Sequence, residues 1–71
     1  MDFNFNRLRG RIVEKYGTCD SFAAAMGLAK GAMSARLNNV TPWKANEIRT
    51  AATLLDIPAE EISAYFLTPK F

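Results

Sequence analysis

Thr18 to Asn38 reads TCDSFAAAMGLAKGAMSARLN, and the fold follows from how this stretch is parsed. Ser21 to Met26 is alanine-rich, with Phe22, Ala25 and Met26 at helical spacing. Gly27 suits the end of that helix, because a residue without a Cβ takes up a left-handed backbone at little cost. Leu28 supplies an apolar contact after the turn. Lys30 to Leu37 resumes a second helix, with Met33 and Leu37 four residues apart. Small residues at Ala23, Ala24, Ala29 and Ala32 allow the two helices to approach closely. Two short helices joined by a tight turn make a helix-turn-helix, whose second helix can enter a DNA major groove.

FAAAMGLAKGAMSARLN resembles the helix-turn-helix of the lambda repressor and Cro superfamily of phage regulators. Phe22, Ala23, Gly27, Leu28, Met33 and Ser34 fall on that family's apolar-Ala pair, turn glycine, turn apolar residue, and recognition-helix core and contact positions. LRGRIVEKYGT before the motif and EIRTAATLLDIPAEEISAYF after it extend the likeness over nearly the whole chain. The resemblance implies an all-α, compact five-helix lambda-repressor-like DNA-binding domain, with the helix-turn-helix at helices two and three. There are two departures: Cys19 replaces a phosphate-contacting Gln, and Arg36 replaces an apolar residue whose role passes to Leu37.

The composition fits one small domain spanning residues 1–71. Apolar residues make up 49% of the chain, enough for a core rather than a disordered segment. The formal net charge of +2 permits a nucleic-acid partner without requiring one. One cysteine excludes an internal disulfide framework, and the absence of histidine argues against zinc. No stretch approaches the roughly 20 apolar residues that span a bilayer. MDFNFNRLRGR lacks the long apolar core of a secretory signal, so a soluble cytoplasmic protein without cofactor or metal is expected.

In the first helix Leu8, Ile12 and Tyr16 form an apolar stripe, and Arg7, Arg11 and Lys15 a neighbouring basic ridge. The ridge reads either as a solvated face or as a contact to phosphates through Arg11. Asn4 or Asn6 can cap this helix and Gly17 ends it. Gly10 inside it costs about 1 kcal/mol against Ala unless a close backbone contact compensates. Thr18 caps the second helix, whose free amides near Cys19 suit a phosphate, whereas Asp20 would repel one.

The base-reading positions are Lys30, Gly31, Ala32, Ser34, Ala35 and Asn38. Lys30 can donate to guanine, Ser34 to several base edges, and Ala32 or Ala35 can touch a thymine methyl. The alanines equally suit a slim helix, and shape readout would then share the work. Family resemblance places Asn39, Thr41 and Lys44 as phosphate donors in the loop that follows. Thr41-Pro42 marks the start of a fourth helix running from Pro42 to Leu55, with Ile48, Ala51, Ala52 and Leu55 inward. Trp43 reads as a partly buried lid or as a stacking residue. Pro58 opens a short fifth helix with Ile62, Tyr65 and Phe66 on its apolar face. Leu67 to Phe71 reads as a short extended tail.

No nucleophile has a visible base, and Glu60 and Glu61 point about 100 degrees apart on a helix, so catalysis is not expected. The leading expectation is a phage or prophage Cro-like or repressor-like regulator that binds double-stranded operator DNA. The alternative is an antirepressor or modulator that binds a partner phage repressor protein, a reading that the thin set of base readers and the low net charge keep open beside the first. Tyr65, Phe66, Leu67 and Phe71 form either core closure or the interface of a weak homodimer.

Overall fold

Each helix begins and ends where local chemistry dictates. The computed structural model describes residues 2–69, and five helices occupy most of that range: α1 (Asn6–Tyr16), α2 (Cys19–Met26), α3 (Lys30–Leu37), α4 (Ala45–Leu54) and α5 (Ile62–Phe66). A single 3-10 turn, Ala59–Glu61, leads into α5. No strand forms among the described residues; Phe3 and Pro69 make one isolated antiparallel bridge.

Asn4 supports the start of α1 from just outside it, its Oδ1 accepting the Asn6 amide at 2.9 Å. Gly17, at φ 81°, ends α1. Thr18 caps α2, its hydroxyl accepting the Ser21 amide at 3.1 Å. Gly27, at φ 73°, closes α2 with both bonds of a Schellman motif. In that motif Leu28 N donates to Ala23 O at 2.9 Å and Gly27 N to Ala24 O at 3.1 Å.

The fourth helix begins later than its Thr41-Pro42 signal suggests. Residues 41–44 are irregular, and α4 starts at Ala45 because Glu47 reaches back to the Lys44 amide at 3.0 Å. This is the N3-to-cap arm of a capping box, and it lies closer to the helix than the proline does. The fifth helix is likewise shorter than its sequence signal, with the 3-10 turn taking up Glu60 and Glu61.

One core unites the helices. Leu8, Ile12, Phe22, Met33, Leu37 and Leu55 are buried as their spacing requires, together with Ala51, Ala52, Tyr65 and Phe66. Met26, Leu28, Ile48 and Ile62, also expected inside, are half-buried against its edge. Phe5 and Ile57, which belong to no helical stripe, complete the core from the segments before α1 and after α4. α1 packs on α2 and α5, α2 on α3 and α4, and α4 on α5.

In the α1 basic ridge Arg7 and Lys15 are exposed to solvent and Arg11 is half-buried, and each of the three is paired with a carboxylate. Arg11 donates from Nε to Leu55 O at 2.8 Å and from Nη2 to Asp56 O at 3.2 Å, bracing the end of α4. Its Nη1 pairs with Glu14 at 2.6 Å. Lys15 holds the Asp56 carboxylate at 3.0 Å. Arg7 pairs with Glu61 at 3.6 Å and lies 4.7 Å from the Tyr65 ring centroid.

Gly10 has no compensating contact, because a Cβ built there meets nothing within 4 Å. Gly10→Ala is therefore expected to raise the unfolding free energy by about 1 kcal/mol, through the lower entropy of the unfolded chain and better helix propensity. Urea denaturation of the two proteins checks this, with an unchanged midpoint as the contrary result.

Candidate functional site

The exposed side of α2 and α3 brings the proposed base readers together, and its chemistry is nearly neutral. Lys30 opens α3 and is 78% exposed at its side chain, but Asp20 in the first turn of α2 sits 3.5 Å from its ammonium. The carboxylate stands beside the amides proposed to hold a phosphate. Gly31 and Ser34 are exposed, while Ala32 and Ala35 are half-buried. Cys19 is half-buried at the start of α2, and Thr18 is occupied with capping Ser21.

Ser34 and Asn38 are already bonded to each other. Asn38 Nδ2 donates to Ser34 Oγ at 3.1 Å, and Asn38 Oδ1 accepts from Arg9 Nη2 at 3.0 Å. Arg9 also donates to Leu37 O at 3.0 Å, so α1 fixes the end of α3. Ser34 keeps its hydroxyl proton for an external acceptor, whereas the Asn38 amide is engaged on both sides.

The proposed phosphate donors are spread over different surroundings. Arg11 is withdrawn to the α4 end, on the evidence of its three bonds there and to Glu14. Asn39, at φ 62°, uses both ends of its amide on Phe3: Oδ1 accepts Phe3 N at 2.8 Å and Nδ2 donates to Phe3 O at 2.9 Å. It is thus a clasp within the protein, with one Nδ2 proton committed to Phe3. Thr41 is half-buried, and only Lys44 projects as an exposed cation. Among the described residues, Lys44, Arg49 and Arg9 are the basic side chains without a carboxylate within 4.0 Å.

Arg36, which stands where the resembled family has an apolar residue, is buried and anchors α3. Its Nε and Nη2 hold the Glu47 carboxylate at 3.0 and 2.9 Å, and Nη1 donates to Ala32 O at 2.9 Å. The hydrogen bonds to Glu47 hold the Arg36 guanidinium further above its already high range, against the opposing effect of burial. Glu47 is held below the usual carboxylate range, first by those bonds from Arg36 and then by the Lys44 amide, again against burial. Nothing in the spacing of apolar residues signals this pair, because the partners lie on different helices.

The C-terminal aromatic patch closes the core. Tyr65 and Phe66 are 9% and 2% exposed, which leaves them no surface for a homodimer; Leu67 is exposed, and Phe71 lies outside the described residues.

The site thus defines a small all-α protein whose helical face is compact and close to electrically neutral. The chain belongs to the family described as "Protein of unknown function (DUF739)", whose model matches residues 1–69. No curated protein matches the chain. It is similar to the solution structure of the modulator of repression (MOR) of the temperate bacteriophage TP901-1 from Lactococcus lactis. The TM-score is 0.82 at 39% sequence identity, covering 93% of this chain and 89% of that one.

Proposed function

We propose that this protein is a phage regulator of the modulator-of-repression type, acting without catalysis by binding a phage repressor protein. The observation that carries the reading is the Asp20–Lys30 pair at 3.5 Å. It offsets part of the positive charge of Lys30 at the start of α3 and keeps a carboxylate in the first turn of α2, near amides that would otherwise attract a phosphate. DNA affinity rests largely on uncompensated Lys and Arg at the phosphates, and among the described residues most basic side chains are already paired. A surface of Gly31, Ala32, Ser34 and Ala35 suits a close-packed protein partner better than base edges, which call for long bidentate donors. The likeness to the modulator of repression supports the same reading.

Operator binding through a lambda-repressor-like helix-turn-helix is the second reading, favoured by the free cations Lys44 and Arg49. The two readings give opposite outcomes in one experiment. A labelled operator is titrated with the cognate phage repressor, with this protein, and with both. The expected result is that the protein alone leaves the operator unshifted and changes the repressor's midpoint when both are present. A specific shift by the protein alone, with the repressor's midpoint unaltered, would reverse the assignment.

A further inference from the structure

A two-part groove lies beside the end of α3, divided by the Asn39–Phe3 clasp. Its apolar part is a cavity of about 180 Å³ lined mainly by Phe3, Phe5, Trp43, Ile48, Phe66 and Leu67. Cavities of roughly 150 Å³ hold a benzene molecule, so this one has room for a phenyl or isobutyl group. Trp43 stands edge-on to Phe66, with centroids 5.1 Å apart. Its indole Nε1 is buried with no acceptor among the described residues.

The polar part has a volume of about 200 Å³ and is bordered by Asn4, Asn6, Arg9 and Asn38. Arg9 meets only neutral acceptors, Leu37 O and Asn38 Oδ1, both through Nη2. Among the described residues it therefore has no counter-charge, and its Nε and Nη1 donate to nothing. A guanidinium so placed favours a carboxylate, which it can bind through two bonds.

We propose that this groove receives a segment of the partner repressor that carries a bulky apolar side chain and, close by in sequence, a carboxylate. The apolar side chain fills the cavity and packs against the Trp43 indole. The carboxylate meets Arg9. The assignment rests on the repressor-binding reading above and places a contact outside the α2–α3 face.

The test uses the single tryptophan as a reporter. Protein labelled with 15N gives one indole N–H resonance, followed while unlabelled repressor is added. The expected result is a marked shift of that resonance on binding. Trp43→Phe, which keeps a ring against Phe66 but takes away part of the cavity wall, is expected to weaken binding about tenfold. Asn6→Asp changes no volume and suits the first turn of α1, but sets a negative charge in the polar part. It is expected to weaken binding by a similar factor at low salt and to recover in high salt. If repressor binds while the indole resonance stays in place and both variants match the unaltered protein, the groove assignment is wrong and the repressor-binding reading stands. If the unaltered protein binds no repressor, the reading and the groove assignment both fall.

Discussion

Glu47→Ala is expected to lower the unfolding free energy by about 3 kcal/mol, the low end of the range for breaking a buried ion pair. The side chains of Arg36 and Glu47 are 10% and 13% exposed, so water relieves only a little of the cost. Loss of the carboxylate leaves the Arg36 guanidinium buried without its counter-charge and deprives the Lys44 amide of its cap. The paired replacement Arg36→Met with Glu47→Leu is expected to fall well short of that loss, or even to gain stability, because it removes both charges together.

The same pair sets a pH dependence. Glu47 has a lowered pKa in the folded state, so its contribution is complete above the ordinary carboxylate value of about 4.5 and is lost as pH falls from there through the folded value. Chemical denaturation from pH 6 down to pH 3 is expected to show a steeper loss for the unaltered protein than for the apolar double variant. Parallel curves, or a Glu47→Ala variant as stable as its parent, would remove the pair from the forces that hold α3 to α4.

Phe22→Ala is expected to be costlier still, at about 3–5 kcal/mol. Phe22 is fully buried, among the largest side chains in the core, with its ring centroid 5.2 Å from that of Tyr16. It lies on α2, which packs on α1, α3 and α4, so a cavity there weakens the centre of the structure. At roughly 0.05–0.15 kcal/mol per residue, a chain of 71 residues has a total stability on the order of 4–10 kcal/mol. The variant is expected to melt far below the parent by circular dichroism; a melting temperature within a few degrees of it would mean that the core relaxes around the deletion.

Local chemistry was legible in the chain, and chemistry that crosses between helices was not. Thr18, Gly17 and Gly27 act on backbone groups within a few residues of themselves, so their roles can be read directly. The buried set from Leu8 to Leu55 follows from a 3.6-residue period. Phe5 and Ile57 escape that reading because they lie outside any helix. Arg36 looks like a defect in the recognition helix until Glu47 is brought to it by the turn between α3 and α4. Arg11 looks like a phosphate contact until the α4 carbonyls, more than forty residues away in sequence, arrive at its guanidinium. For the candidate site, the list of α3 residues could be read from spacing, but their mutual satisfaction could not. Ser34 bonding Asn38, and Lys30 facing Asp20, are facts of three-dimensional placement.

The pair of hydrogen bonds between Asn39 and Phe3 ties the beginning of the described chain to its middle, and the Asn4 amide, 2.8 Å from Thr68 O, ties it to the far end. Segments near chain ends ordinarily fray first, at little free-energy cost. Here a force applied ahead of Phe3 is borne at once by the loop after α3 and by the segment after α5. The load reaches these two segments before it reaches the first turn of α1.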